Sequence, residues 1–323
     1  SSSSIGLFVA VGASGTILTS ANGNSVTTKD ILGVTYGNGT FVTVGKSGTI
    51  YTSSDGTSWD NRTSGTSKRL NGVTYANSTF VAVGGSGTIL TSSDGTSWDN
   101  RTSGTSNELY GVYYENSTFV VTGENGTILT SSDGITWTSR SFWDVRTSGT
   151  TNHLRGVAYG SGYFMAVGES RTILTSSGGI TWTQVEYPQH TNTLTGVAYG
   201  SGGFMVSGSS GQIFYDGNGN LFDGWCECFL NDLLGVNYAN GQYYVFDSIR
   251  SVFRSYWGST GDYWHGLDIG TSNYYRGIAY GNETFVLAGN SGNISTSSDG
   301  SAWTSRTSGT SNLLNGFTYG NST

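Results

Sequence analysis

The chain repeats itself with a period that few architectures can use. Its clearest unit is "GVTYANSTFVAVGGSGTILTSSDGTSWDNRTSGTSNELY", Gly72 to Tyr110, and units open at Gly33, Gly72, Gly111, Gly156, Gly196, Gly235 and Gly277. Successive openings lie 39 to 45 residues apart, and an eighth unit opens at Gly316 and breaks off at Thr323. A period of this size marks solenoids, propellers or arrays, in which one unit cannot bury its apolar face alone.

Within the Gly72 unit four short runs alternate: "LNGVTYA", "TFVAVGG", "TILTSS" and "SWDNRT". Val73 and Tyr75 share one face and Phe80 and Ala82 another, the period of a strand rather than a helix. "ANST" and "GGSG" between the runs are small polar residues that tolerate positive φ. Four strands in about 40 residues make one propeller blade, and the polar capping repeats of a solenoid are missing.

The expected fold is therefore all-β: a single eight-bladed β-propeller domain over residues 1–323, built of four-stranded antiparallel blades. Seven blades open at the glycines named above. The eighth is shared between the N- and C-termini, with residues 316–323 as its inner strand and residues 7–32, beginning "LFVAVGASGTILTS", as the rest. Joining the ends in this way removes two open sheet edges. The same last strand could instead enter a neighbouring copy, a head-to-tail donation that builds a filament.

Composition narrows the partners. Charged residues are 11% of the chain, Ser and Thr number 48 and 44, and the net charge is −7 with only three Lys. Too few cations are present to neutralise phosphates, which argues against nucleic acid and against a polybasic membrane patch. No apolar run approaches the roughly 18 residues of a membrane span, so no membrane insertion is expected. The opening "SSSSIG" carries no initiator Met, which fits a removed leader and no remaining anchor. Cys226 and Cys228 in "GWCECF" read as two loop thiols or a strained local disulfide.

"SSDGTSW" (Ser53–Trp59 and Ser92–Trp98), "SSDGITW" (Ser131–Trp137) and "SSDGSAW" (Ser297–Trp303) resemble the Asp-box (BNR-like) repeat of sialidase-like and photosystem-assembly-factor-like propellers. With "FVAVG" and "GTILTS", the resemblance covers nearly the whole chain. It implies a turn between the outer two strands of each blade. Asp55, Asp94, Asp133 and Asp299 would cap backbone N–H groups there, and Trp59, Trp98, Trp137 and Trp303 would pack between blades. Trp182 follows a box, "SSGGITW", in which Gly178 replaces the Asp. Asp and Trp are four residues apart here, against five in the usual box.

A sialidase-like enzyme would need three Arg on a substrate carboxylate, a Tyr activated by a Glu, and an acid Asp. The residues just before the inner-strand glycines are Leu32, Asn71, Tyr110, Arg155, Thr195, Leu234, Arg276 and Asn315. Two Arg, with His153 close by, make an incomplete set, so no catalytic residue is expected. His153, His190 and His265 occupy unlike positions in their repeats and predict no metal cluster.

One loop, "DGNGNLFDGWCE", has the alternating oxygen ligands of a calcium loop: Asp216, Asn218, Asn220 and, at the twelfth position, Glu227. Leu221 stands where the sharp-turn Gly belongs, which favours a plain polar hairpin. No other cofactor is expected.

Nine N-x-S/T sequons occur, at Asn38, Asn61, Asn77, Asn100, Asn116, Asn125, Asn282, Asn293 and Asn321. They are candidate glycosylation sites if the chain is secreted. None falls between Gly126 and Gly281, and that sector carries the aromatic excess: Trp225, Phe229, Tyr256, Trp257, Tyr263 and Trp264. These aromatics are candidates for contact with a protein or a sugar, or simply fill blades that have lost the box Trp.

The expected function is a non-catalytic extracellular or cell-surface propeller with a structural or adhesive role, partnering itself or other surface proteins and glycans. A glycan-active sialidase-like enzyme and an intracellular assembly-factor propeller are the alternatives.

Overall fold

A computed structural model of the chain describes residues 6–19, 23–25, 27–134, 145, 146, 148–185, 192–201, 203–216, 224–227, 229, 231–249, 251–255, 264–269 and 274–321. Of residues 6, 23–25, 145, 146, 216, 224–227 and 321 it describes the backbone alone. Eight four-stranded antiparallel sheets form the ring. Blades 1 to 7 follow the seven complete repeats, and in blade 8 the strand Leu314–Asn321 pairs with Gly6–Gly12.

Blade 2 illustrates how sequence sets the strands. Its strands are Leu70–Ala76, Thr79–Gly84, Ile89–Ser92 and Asp99–Arg101, counted from the axis outward. The inner strand starts two residues before the repeat glycine, because a bulge lies between Leu70 and Gly72. Its first hairpin has a two-residue loop, Asn77–Ser78, with φ of 48° and 58°. Two positive φ values give the type I′ turn that matches strand twist, and Asn tolerates that conformation. Asn38, Asn116 and Asn282 hold the same place. The Thr that closes the loop donates its hydroxyl to the Asn carbonyl, 3.3 Å in the case of Thr79 and Asn77.

The glycine ending "FVAVG" answers to a neighbour. A Cβ on Gly84 would lie 1.9 Å from the Arg69 carbonyl oxygen, to which Gly85 N–H donates at 2.8 Å. All eight blades make this bond from the turn between the second and third strands, including Ala13 N to the Leu313 oxygen at 2.7 Å in blade 8.

Blades join through apolar clusters that mix residues of two neighbours. Val42, Val44 and Ile50 of blade 1 pack with Leu70, Phe80, Ala82 and Leu90 of blade 2. Phe41, Phe80, Phe119, Phe164, Phe204 and Phe285 on the second strands are at most 1% exposed, each contributing about 1.5–3 kcal/mol by burial.

The inner-strand tyrosine adds a second seam. In every blade it contacts an aromatic ring across the hairpin, with centroids 4.4 to 5.0 Å apart. Its other face covers the preceding blade's backbone at the next residue along, which is often Gly. A Cβ on Gly37 would lie 2.1 Å from the Tyr75 ring. The shared blade repeats this contact on both sides, Tyr319 over Gly281 and Tyr36 over Gly320, each 2.4 Å from such a Cβ. Asn312 Nδ2 donates to Thr16 Oγ1 at 2.8 Å, matching Asn107 to Thr127 and Asn152 to Thr172 in covalently continuous parts of the ring. Blade 8 is thus closed by the interactions used elsewhere.

Gly320→Ala is expected to cost about 1–3 kcal/mol by forcing Tyr36 off its seat. Gly235→Ala, with nothing within 4 Å of the new Cβ, is expected to be neutral or to stabilise by less than about 1 kcal/mol. Denaturant midpoints of the two variants compare them directly.

Candidate functional site

Antiparallel order sorts the connections onto two faces. Turns between first and second strands, and between third and fourth, share one side, the hairpin face. Turns between second and third strands share the other with the links that carry the chain to the next blade, the strap face.

On the strap face the side chain two residues before each bulge is an inter-blade acceptor in three places. Asp30 Oδ1 accepts Ser14 N–H at 3.0 Å, His153 Nδ1 accepts Asn125 N–H at 3.2 Å, and Asp232 Oδ1 accepts Ser210 N–H at 2.7 Å. In each case the donor belongs to the preceding blade. The Lys46 ammonium beside Asp30, 2.6 Å away, together with Ser14 N–H, holds that carboxyl below its ordinary range.

Blades 2 to 4 add a chain of polar contacts. Arg69 and Asn71 Nδ2 of blade 2 both donate to the Glu108 carboxylate of blade 3. Glu124 accepts Glu108 N–H at 3.1 Å and the Tyr110 hydroxyl at 3.3 Å. Burial, and then the Glu124 and Glu108 carboxylates, push the Tyr110 phenol above its ordinary value. The Tyr110 ring meets His153 edge-on at 6.4 Å, and Arg155 Nη2 pairs with Glu169 Oε1 at 2.6 Å. Beside this arc an open groove of about 650 Å³ runs between two straps, lined by Asn107, Asn125, Thr127, Ser148, Thr150 and Asn152 among others.

Across the ring the strap face changes character. Arg276 of blade 7 is exposed and donates Nε–H to Asn290 Oδ1 at 3.0 Å. In blade 6 Leu234 and Ile249 are 37% and 54% exposed. The two inner-strand Arg, on blades 4 and 7, are three blades apart, and Arg155 is already engaged by Glu169. Sequence alone gave no reason to single out Asp30, Glu108, Glu124, Glu169 or Asp232. The available signal was that the first residue of the second turn varies, Lys46, Gly85, Glu124, Glu169 and Asn290 among them, in an otherwise constant frame.

The hairpin face carries the Asp boxes, between third and fourth strands. Asp55 Oδ1 accepts Thr57 and Ser58 N–H at 2.8 and 2.9 Å, and Asp299 treats Ser301 and Ala302 likewise. The Ser58 and Thr57 N–H groups hold the Asp55 carboxyl well below the usual range. The Thr96 hydroxyl, then Thr96 N–H, does so for Asp94, and the Ala302 and Ser301 N–H groups lower Asp299 to about 2. Asp133 accepts the Ser131 hydroxyl at 3.1 Å. Trp59, Trp98 and Trp303 lie against clusters shared with the preceding blade. Trp182 does so too, 8% exposed, although its box lacks the Asp. Trp137 lies outside the described residues.

Two expectations are corrected. In blade 5 Gln212 pairs with Glu227 and Tyr215 with Gly224, so Asp216 lies beyond one end of the ladder and Glu227 at the other. About 3.3 Å per residue separates them by roughly 13 Å, too far for two ligands of one calcium ion. Asn218, Asn220 and Cys228 lie outside the described residues, and Cys226 pairs through its backbone with Ile213. Among the described residues no group of three or more His, Cys, Asp or Glu is placed to hold a metal.

The second correction concerns the aromatic sector. Phe229 is 8% exposed and contacts Phe253 and Trp264, with centroids 4.3 and 5.7 Å away. Phe229 belongs to the apolar cluster shared by blades 5 and 6, and the half-buried Trp264 packs against it, so both rings contribute to the core. Trp225 is described by its backbone alone, and Tyr256, Trp257 and Tyr263 lie outside the described residues, as does His190.

Of the sequon asparagines, Asn38, Asn77, Asn116 and Asn282 are exposed on the hairpin face, and Asn61 and Asn100 on outer strands. Asn125 is exposed on the strap face, with Nδ2 donating to Asn107 Oδ1 at 3.2 Å. Asn293 is half-buried and donates Nδ2 to Asn290 O at 2.6 Å. Asn321 is paired through its backbone with Gly6.

The box carboxylates predict an acid response. Their folded values lie below the unfolded one, so the stability they add is complete above about pH 4 and is lost as pH falls toward about 2, the folded value of Asp299. Replacing Asp55, Asp94 and Asp299 together by Asn is expected to flatten the fall in urea midpoint between pH 4 and 2. Asp94→Ala is expected to cost about 1 kcal/mol at pH 7, as loss of a backbone cap does.

The sequence matches no protein-family model and no curated protein. Solved structures resemble the fold. One, described as YCF48 bound to D1 peptide, is 16% identical with a TM-score of 0.61, over 80% of this chain and 88% of that one. The computationally designed Ika8 protein is 13% identical with a TM-score of 0.66, covering 88% and 96%. Apo AztD from Citrobacter koseri is 11% identical with a TM-score of 0.66, covering 98% of each chain. At these identities what is shared is the propeller architecture.

Proposed function

We propose that this chain is a non-catalytic propeller that binds a protein partner across its strap face, with a structural or adhesive role outside the cell. The carrying observation is how the strap-face cations are used. Lys46, Arg69 and Arg155, on blades 1, 2 and 4, are each matched to a carboxylate, Asp30, Glu108 and Glu169, while Lys29 and Lys68 on the straps are exposed and form no ion pair among the described residues. Blades 6 and 7 instead turn Leu234, Ile249 and Arg276 to solvent. Ion pairs on one side of the ring and an exposed aliphatic sector on the other suit a docking surface better than a reaction centre. The similarity to a structure described as bound to a peptide supports the same reading.

Pairing of residues 314–321 with residues 6–12 of the same chain supports the closed ring. The exposed sequon asparagines support a surface location. Where native material is glycosylated, peptide mapping is expected to find glycan on Asn77 and Asn116 and none on Asn293, whose amide nitrogen is held by its own turn. An unmodified intact mass would remove the support that sequons lend to that location.

A random peptide library panned on the immobilised full chain tests the function. Selected peptides are expected to lose at least tenfold in affinity for a Leu234→Ser/Ile249→Ser variant and to keep it for Asp94→Asn on the opposite face. Sialoside turnover that disappears in Arg155→Ala would favour the sialidase-like alternative and overturn the proposal.

A further inference from the structure

We infer that Arg276 anchors a carboxylate supplied by an acidic, extended segment of a partner protein. The inference rests on the protein-binding reading and names the chemistry of that partner. Its ground is a comparison within the ring. Two inner strands place Arg immediately before the repeat glycine, at Arg155 and Arg276. Each reaches the first residue of its own blade's second turn, and the backbone frames match: Glu169 N–H donates to the His153 carbonyl at 2.9 Å, and Asn290 N–H to the Tyr274 carbonyl at 2.8 Å.

The partners differ in charge. Arg155 meets the Glu169 carboxylate at 2.6 Å, whereas Arg276 meets the Asn290 amide oxygen at 3.0 Å. An amide oxygen accepts hydrogen bonds but carries no charge, so it cannot neutralise a guanidinium, whose five donors match a carboxylate in a two-pronged fork. Arg276 is exposed and, among the described residues, forms no ion pair, as is also true of Arg306 on the outer strand, whereas Arg62, Arg69, Arg101 and Arg155 each have one. Blade 4 therefore shows where a carboxylate sits in this frame, and blade 7 lacks its own.

The surroundings favour a protein source for that group. Leu234 holds the equivalent position on the adjacent blade 6, and Ile249 lies in that blade's second turn, both exposed. An Arg beside exposed aliphatic side chains resembles the anchor of a protein interface. A solvent-exposed ion pair alone contributes little. Covering Leu234 and Ile249 with apolar side chains of the same segment would exclude water from the pair and strengthen it.

The test uses the full chain and fluorescent eight-residue peptides in which one Glu or Asp lies among Leu and Val, each compared with its Gln or Asn counterpart by anisotropy. Wild-type protein is expected to prefer the acidic member at least tenfold. Arg276→Gln is expected to abolish the preference. So is Asn290→Glu, which supplies the carboxylate from inside in the arrangement blade 4 already adopts, and circular dichroism checks that both variants keep the sheet. Equal binding of acidic and amide peptides, or a preference that survives Asn290→Glu, would overturn the inference and leave the protein-binding reading intact. Failure of every peptide to bind up to 1 mM would overturn both. Sialyllactose, tested alone, is expected not to bind; binding that disappears in Arg276→Gln would assign the site to a carboxylated sugar instead.

Discussion

The ring depends on close approach between neighbouring inner strands. Each inner-strand tyrosine lies between the second-strand aromatic of its own blade and the backbone of the blade before it, and five of those backbone positions are glycines that a methyl group would close off. The apolar clusters follow from this spacing, because neighbours so near can bury the same Phe from both sides. Glycine loses more backbone entropy on folding than other residues. The offset is a full aromatic contact per blade, worth about 0.5–1.5 kcal/mol beyond its buried area. Since the contact joins blade to blade and not residue to next residue, it closes the shared blade as well as any other.

This division of labour leaves one face free to vary. On the hairpin face, box Asp, turn Asn and Trp are engaged in holding their own turns, so a change there acts on stability first. The sequon pattern is partly a product of that chemistry. Asn at the first loop position tolerates positive φ, and the following Thr bonds back to its carbonyl. On the strap face the constant parts are backbone: the turn N–H and the carbonyl that opens the inner strand. Side chains at the same places are therefore free to be Lys, Glu, Ser or Asn without disturbing the frame. Substitutions there are expected to have little effect on folding.

The same distinction explains what could be read from the sequence. A period of about 40 residues with four alternating runs specifies the blade, and the broken unit at Gly316 specifies the sharing. The box residues were legible because their partners lie within three residues along the chain. Phe229 and Trp264 were not, because whether an aromatic faces core or solvent depends on the neighbouring blade's surface. The calcium spacing of Asp216 and Glu227, already weakened by Leu221 in place of the sharp-turn Gly, fails because ligand spacing presumes a loop. A strand pair instead carries its two ends apart at about 3.3 Å per residue. Glu124 and Glu169 escaped notice because their meaning comes from Tyr110 and Arg155, 14 residues earlier and across a hairpin.

A repeat protein also offers a control within itself, since equivalent positions share a backbone and differ in one side chain. Blade 7 shows what the comparison can resolve. In blades 1, 2 and 4 the box Trp donates to the carbonyl of the turn glycine, at 2.8 to 3.0 Å. In blade 7 Arg254, reaching over from blade 6, takes the Gly300 carbonyl at 2.9 Å and the Ser301 hydroxyl at 3.0 Å. Trp303 Nε1 is left without a partner among the described residues. A buried indole N–H without its bond costs about 1–3 kcal/mol, and a hydrogen bond made by a charged group contributes about 1.5–3. Arg254 is itself buried, and its Nε finds no partner among the described residues, so the exchange leaves an unmet donor on each side chain. What it changes is the seam between blades 6 and 7 on the hairpin face, which a charged side chain now crosses.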